Sequence, residues 1–496
     1  MIKAENKVFG EPSVKYRGIF LNDEDWGLKP WAAKNMDNDI KDIGTHTYAY
    51  IFELLLRLKA NFIGPTMYNC TKAFYYYPEN PKTADKYTIT VGSSYCKPIL
   101  RNNVFEWVEN YKHEYGEKPG EWRYNINKPQ IYKYWDDRAR ESAGYESVYT
   151  IGMRGVHDGS MTGPKNLNEK IKLLDSVIVD QRKILQNRLG KPADQIPQIS
   201  CPYKEVLTLY QKEVDLSDDA TIVWADDNHG YNHQLSNAQK QKRSGGSGVY
   251  YHLPYWGKPH DYLWLSSISP SLISFEMTKA YEYGANRLWV FNVGDIKPAE
   301  MEIQFAMDLA WNINSWTPRN AYQWADETFG EAYANDITNI KSIYYRLGHE
   351  AKPKHTGMVK FSVAEQNERM KAYAEIAQEA EDLKKRIPYW LQDVYFQLIY
   401  YPVMGAKLMN DKVYLAQQSL KLMEQGDSAC LKLTSMSHDA FERIKQLTEV
   451  YNKKNRQRKT GRHNGFSAQT FECFLNAGSC FGRRIETCPG KRSSAC

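Results

Sequence analysis

The chain has 496 residues, of which 42% are hydrophobic, 13% aromatic and 25% charged, with a formal charge of +6. That length suits about three domains of ~100–200 residues; no apolar stretch reaches the ~18 residues of a membrane span, and the polar segment after Met1 reads as no signal peptide. The basic excess is local: residues 453–496 hold ten Lys or Arg against Glu472 and Glu486, a net of +8, which leaves residues 1–452 at −2 and gives no reason to expect a nucleic-acid partner for the body.

From Tyr16 to Asp295 the chain carries eight short apolar runs, most ending in polar or ionisable side chains. Residues 16–21 run into Asn22-Asp23-Glu24, residues 62–64 into Pro65-Thr66, and residues 87–91 into Gly92-Ser93-Ser94. Residues 148–153 lead to Arg154-Gly155-Val156-His157-Asp158, and residues 198–201 to Tyr203-Lys204-Glu205. Residues 221–224 lead to Asp226-Asp227-Asn228, residues 248–251 to His252, and residues 288–291 to Asn292-Val293-Gly294-Asp295. Continuous apolar runs are the signature of buried parallel strands. Several gaps between them carry helical patterns, as an α/β barrel requires. In the stretch after Asn166, Leu167, Ile171, Leu174, Ile178, Leu185 and Leu189 fall near one face, and Gly190 and Pro192 end it. Residues 47–60 and 299–311 follow the same pattern. Residues 68–86 and 114–145 read as long excursions, the second overhanging the catalytic face.

After Trp316-Thr317-Pro318 the strand signal stops. Residues 319–450 predict four to five helices, with breaks near Lys352-Pro353-Lys354 and Arg386-Ile387-Pro388. The expected fold class is therefore α/β: a (β/α)8 TIM barrel followed by an all-α helical bundle. The expected division is a lead-in over 1–15, a catalytic barrel over 16–314, a bundle over 315–452 and a tail over 453–496. The tail crowds Cys473, Cys480, Cys488 and Cys496 into a basic, aperiodic stretch. It reads as disordered or as an out-of-frame product.

In an α/β barrel the strand carboxyl ends share one face, and that face carries the chemistry. Glycosyl transfer to water needs two carboxyl groups astride the bond. Asp23, Glu24, Asp158, Glu205, Asp226, Asp227 and Asp295 all sit at predicted strand ends, although any one of them could instead cap a helix or pair with an Arg. Arg154, Lys204, His157 and His252 lie among those acids, a mixture that suits an anionic substrate or internal ion pairing. The 36 Tyr and 13 Trp can pack a core or line a sugar cleft. A metal-dependent deacetylase is the rival, with Asp226, Asp227 and His252 as ligands. His229 and His233 have zincin spacing, but Gly230 stands where the Glu is needed. Ser244-Gly245-Gly246-Ser247-Gly248 lacks the Lys and helix of a phosphate loop and reads as a turn.

Several of these segments, in this order, resemble glycoside hydrolase family 115, the xylan α-1,2-glucuronidases. They are residues 16–24, 152–158, 224–230, 245–262 (Gly-Gly-Ser-Gly-Val-Tyr-Tyr-His at its start) and 292–298. The resemblance covers roughly residues 15–452. It implies a barrel with a following helical domain, and inverting removal of glucuronic acid or its 4-O-methyl ether. It implies Asp23, Asp158 and Glu205 as catalytic carboxylates; which of them is acid and which base is open in the sequence, and Glu205 is taken here as the general acid with Asp158 or Asp23 positioning the water. Arg154, Asp226, Tyr250, His252 and Tyr255 match the family's substrate pocket. No metal or cofactor is implied. The implied partners are glucuronoxylan or aldouronic oligosaccharides, with no nucleic acid and no membrane; a homodimer is compatible, and the location is periplasmic or secreted. The chain departs from the family in three places. The N-terminal domain and the C-terminal β-rich part are missing, so it reads as a truncated member. The helical domain turns into the basic tail after Lys454. Finally, Ser94-Tyr95-Cys96-Lys97-Pro98 stands where the family resembles Ser-His-x-Glu-Pro. That exchange makes a catalytically impaired carbohydrate-binding barrel the alternative expectation.

Overall fold

The computed structural model describes residues 10–457 except 23–26, 67, 69, 158, 213, 258–260, 264, 315–316 and 318–319. The apolar runs form strands β1 (Tyr16–Phe20), β2 (Phe62–Gly64), β3 (Thr90–Val91), β4 (Tyr149–Thr150), β5 (Gln198–Ser200), β6 (Thr221–Ala225), β7 (Ser247–His252) and β8 (Leu288–Asn292). They make one parallel eight-stranded sheet in the order β3-β2-β1-β8-β7-β6-β5-β4. The two end strands also touch. Val91 N donates to the Glu146 carbonyl at 3.2 Å, and Val148 N donates to the Val91 carbonyl at 3.0 Å.

Successive strand residues face opposite ways, and each side finds its own apolar layer. Phe20, Phe62, Val148, Ile199, Val223 and Tyr250 meet one another in an inner cluster. Ile19, Ile63, Tyr149, Ile222, Val249 and Trp289 point outward into the layer shared with the helices. Two glycines let the strands close up. A Cβ on Gly18 would lie 1.8 Å from the Phe62 carbonyl oxygen, and one on Gly248 would lie 2.2 Å from that of Leu288.

The outer layer comprises α1 (Leu28–Asn35), α2 (Thr45–Arg57), α3 (Glu79–Lys86), α4 (Tyr111–Tyr115), α5 (Tyr124–Ser142), α6 (Leu167–Leu189), α7 (Glu205–Gln211), α8 (Pro270–Glu282) and α9 (Glu300–Trp311). The ends of α6 follow its sequence signals: the Asn166 side chain accepts from Glu169 N, and Gly190 stops the helix at φ 66°. Two expectations need correction. Residues 87–89 are not strand. Thr88 takes φ 55° and, with Ile89, hydrogen-bonds back onto α3, because the chain must reverse there before it enters the sheet. Nor is 114–145 mainly a loop, although Trp122, ahead of the helix, does reach the end of β4. Most of it is α5, which packs against α6 and buries Ile131, Tyr134 and Trp135 in the layer between the sheet and its helices.

The remaining helices are α10 (Asn320–Phe329), α11 (Glu331–Glu350), α12 (Val363–Arg386), α13 (Gln392–Tyr395), α14 (Tyr401–Glu424) and α15 (Cys430–Gln457). They build two further cores, one around Ile337, Tyr344, Tyr373 and Ile399, the other around Met409, Tyr414 and Ile444. Met301 of α9 joins the first and Leu265 the second, so both cores reach back to the sheet's own helices and loops. Among the described residues no helix is long and apolar enough to cross a membrane. α15 continues through Gln457, past the expected start of the tail at 453, and the rest of the expectation for the tail lies outside the described residues.

Candidate active site at the strand carboxyl ends

β4 leaves the sheet through Gly152, whose φ of 111° is open only to glycine without strain. Gln181 of α6 clamps that glycine, accepting from its N–H at 2.7 Å and donating to its carbonyl at 2.9 Å. Two residues on, the Arg154 carbonyl accepts from Trp122 Nε1 at 2.8 Å. β5 leaves through Tyr203 and Lys204. Lys204 holds φ 51°, a conformation non-glycine residues rarely take and one often found at functional sites. The turn makes Glu205 the first residue of α7 and sets it opposite Arg154. Arg154 Nε lies 3.1 Å from Oε1 of Glu205, and Nη2 lies 2.7 Å from Oε2. Met161 N adds a third bond to Oε1 at 2.9 Å. The guanidinium is 2% exposed and the carboxylate 25%, so the pair opens to solvent on the acid's side.

A second pair stands at the ends of β6 and β7. His252 Nδ1 is 2.5 Å from Asp226 Oδ1, and His252 N donates to both carboxylate oxygens at 3.2 and 3.3 Å. Burial pushes the Asp226 carboxyl above the usual range, against the pull of His252. Rings join the two pairs. Arg154 lies 5.3 Å from the Tyr95 ring, Tyr95 meets Tyr250 edge-on at 6.1 Å, Tyr250 meets His252 at 5.1 Å, and His252 meets Tyr255 at 4.9 Å. Tyr250 OH accepts from Asn292 Nδ2 at 3.0 Å.

Arg154, Glu205, Asp226, Tyr250, His252 and Tyr255, spread over a hundred residues of sequence, thus come into one network. Asp23 and Asp158, the other two expected carboxylates, lie outside the described residues, as does Glu24. Two more acids have plainly structural partners. Asp295 Oδ2 accepts from Leu28 N at 3.2 Å, where α1 starts. Asp227 accepts from the backbone of His229 and Tyr231 at 2.8 and 2.9 Å and pairs with exposed His233 at 2.7 Å. Burial alone would push Asp227 up, but these bonds bring its carboxyl below the ordinary range. Both Asp227 oxygens are engaged in its own turn rather than beside Asp226. His229 and His233 lie on that turn, not on a helix. Among the described residues no three His, Cys, Asp or Glu side chains are grouped as a metal would need.

Two features of this face were not legible as such. Lys97 is 2% exposed, with Nζ 3.3 Å from Asn102 Oδ1 and 3.4 Å from the Val156 carbonyl, and burial pushes its ammonium down to about 8. Lys352, Lys354 and His355, read in sequence only as a helix break, pack onto the β6 and β7 loops.

Residues 9–355 match the model of Glycosyl hydrolase family 115. No curated protein matches the chain. Among solved structures, the chain is similar to BtGH115A, a family GH115 4-O-methyl-α-glucuronidase with specificity for decorated arabinogalactans. The two share 37% identity at a TM-score of 0.84, over 98% of this chain and 63% of that one. A GH138 enzyme targeting pectin rhamnogalacturonan II shares the fold at 12% identity and a TM-score of 0.61, over 98% of this chain and 69% of its own. The present chain therefore spans less than two thirds of BtGH115A. With the family match running over seven tenths of the chain and through both residue pairs, the chain belongs to glycosyl hydrolase family 115.

Proposed function

We propose that this chain is the barrel and helical part of an α-glucuronidase that releases glucuronic acid or its 4-O-methyl ether from a decorated polysaccharide, with inversion. The observation that carries the reading is the network itself: an Arg–carboxylate pair and a buried Asp–His pair, joined by tyrosines at the strand ends of a family 115 chain. In this reading residues 16–314 form a closed (β/α)8 barrel, supported by the Val91–Val148 hydrogen bond between the end strands, and residues 315–452 form a helical bundle.

Glu205 serves as general acid to the leaving oxygen, and Asp158 or Asp23 positions the water. Arg154 recognises the uronate carboxylate, which competes with Glu205 for the same two guanidinium edges. Substrate binding then frees the Glu205 carboxyl to face the glycosidic oxygen. Asp226, Tyr250, His252 and Tyr255 hold the sugar ring. Glucuronoxylan or aldouronic oligosaccharides are the expected substrates; decorated arabinogalactan is the second candidate, on the similarity to BtGH115A. A periplasmic or secreted location is the one that goes with such substrates in this reading.

A second reading, a sugar-binding barrel with impaired catalysis, rests on one observation: buried Lys97 stands where the family pattern has a Glu. Incubation with glucuronoxylan and with arabinogalactan, followed by quantification of free uronic acid, separates the two. Release as the β-anomer, read by proton NMR in the first minutes, is the expected result. Binding of aldouronic acids with no release, restored by Tyr95→His with Lys97→Glu, would establish the second reading.

A further inference from the structure

A cleft of about 550 Å³ lies on the seam between the sheet's helices and the helical module. None of Arg154, Glu205, Asp226, Tyr250, His252 or Tyr255 lines it. Its size is that of an ordinary ligand pocket, ~300–1,000 Å³. One wall is the start of α8, Ser269 to Leu272, with Phe275 a turn further on; the other is a face of α11. Lys341, Tyr345 and His349 follow one another there at i, i+4 and i+8, with Arg346 beside them, so helical spacing alone brings them together. Tyr231, from the β6–β7 loop, spans the two walls, its ring 6.4 Å from that of His349.

Lys341 is only 3% exposed, yet among the described residues its ammonium has neither a hydrogen bond nor an ion pair. Rings flank it instead, Tyr345 with its centroid at 4.4 Å and Tyr344 at 5.2 Å. The two acids that draw on it are engaged elsewhere. Glu302 Oε1 accepts from Tyr345 OH at 3.0 Å and from the Ser266 hydroxyl, and Glu300 pairs with Lys297 at 2.9 Å. The buried Oε2 of Glu302 finds no donor, Lys341 included. A buried ammonium with unused donors is costly and calls for an acceptor. Arg346, on the surface beside it, has no ion pair either among the described residues. The first turn of the 13-residue α8 adds the positive end of a helix dipole. No described carboxylate lines the cleft to offset these charges. Phe275, 64% exposed, supplies a flat apolar face at its edge.

We propose that this cleft is a second carbohydrate site, one that takes a hexuronate: the sugar carboxylate meets the Lys341 ammonium and the Arg346 guanidinium, and a pyranose face lies on Phe275. Charge-assisted hydrogen bonds to a carboxylate are the strong kind, and aromatic faces suit the apolar side of a sugar. A neutral sugar lacks the charge for Lys341, and an inorganic anion leaves Phe275 uncovered. That the carboxylate belongs to a sugar rests on the function proposed above; that the cleft takes a carboxylate does not. Free glucuronate and an uncleaved side chain of the polysaccharide offer the same chemistry.

The test follows the His349 Cε1–H resonance, assigned through His349→Gln, as sodium D-glucuronate is added to the full-length protein at constant ionic strength. A saturable shift is expected. D-glucose, the same ring without the charge, should bind roughly tenfold or more weakly. Lys341→Met and Arg346→Glu should each weaken glucuronate by a similar factor, and Phe275→Ala should weaken glucuronate but not inorganic phosphate. Arg346 and Phe275 are exposed, so their variants decide the matter even if Lys341→Met fails to fold. Arg154→Ala should leave the titration unchanged. The proposal is overturned by the absence of a saturable shift, by glucose or phosphate binding as tightly as glucuronate, or by loss of the shift in Arg154→Ala. Electrophoresis through a gel containing glucuronoxylan separates the two sources. Retardation of the parent relieved by Arg346→Glu assigns the cleft to polysaccharide side chains, and equal retardation assigns it to free uronate. Release of uronic acid without a saturable shift would sink this site and leave the proposed function standing; a shift without release would do the reverse.

Discussion

Arg154 and Glu205 face each other edge to edge, Nε to Oε1 at 3.1 Å and Nη2 to Oε2 at 2.7 Å, across the ends of two neighbouring strands. The same two guanidinium edges fit a uronate carboxylate. On the function proposed above, the free protein holds the proposed general acid on the guanidinium that the substrate carboxylate would take.

Glu205→Gln should lower release from polysaccharide by ~10²–10⁴-fold, the usual worth of a positioned general acid. An aryl glucuronide with an acidic phenol leaving group needs little protonation, so on it the loss should be far smaller. Equal losses on both substrates would show that Glu205 does not donate the proton. Arg154→Lys should not rescue binding, because an ammonium lacks the planar fork; a KM like the parent's would remove the guanidinium from uronate recognition.

Gly248→Ala puts a methyl group 2.2 Å from the Leu288 carbonyl oxygen, a backbone atom that cannot move aside without breaking the β7–β8 ladder. Overpacking of this kind costs ~1–3 kcal/mol, so thermal unfolding should shift down by several degrees. Gly144→Ala, with nothing within 4 Å, is the matched control and should leave Tm unchanged. Equal Tm values for the two variants would contradict the close strand approach.

Lys97 is held at about 8 by burial, against an ordinary 10.5. Below pH 8 both folded and unfolded chains keep the proton, and the fold bears the full cost of the buried charge. Between 8 and 10.5 the unfolded chain binds more protons, so stability rises with pH. Lys97→Met removes this dependence. The stability difference between parent and variant should move in the parent's favour by roughly 3 kcal/mol from pH 7 to 10.5. Urea titrations at the two pH values provide the check, and a constant difference would place Lys97 in contact with water.

Excess chelator should leave uronate release within twofold. The residues a deacetylase-type metal would need include Asp227, and its two oxygens already serve the backbone of His229 and Tyr231 and the ring of His233. Loss of activity restored by zinc would revive the metal reading.

Much of this protein was readable from one dimension. Apolar runs such as residues 288–291 bury both faces, so they carry a strong local signal whatever surrounds them. Helix ends such as Asn166 and Gly190 are likewise fixed by bonds to their own turn. The signal failed where a segment's fate depended on a distant partner. Polar, aromatic 114–145 looked like a loop because the surface that buries Tyr134 and Trp135 is supplied by other elements. Among the seven candidate acids, sequence could not separate Glu205, which finds Arg154, from Asp295, which finds the start of α1.

Sequence alone therefore determined the eight strand positions, the helices with a clear apolar period and the strand ends at which ionisable residues stand, since period and strand polarity are local properties of the chain. Tertiary structure alone decided which charge meets which. The partner of Lys352 is the carbonyl of His229, 123 positions away, and the partner of Lys354 is Asp261, 93 positions away. Such pairings are set by how the helical module packs on the sheet, through hydrogen bonds and Coulomb forces that act over a few ångströms of space and are blind to distance along the chain.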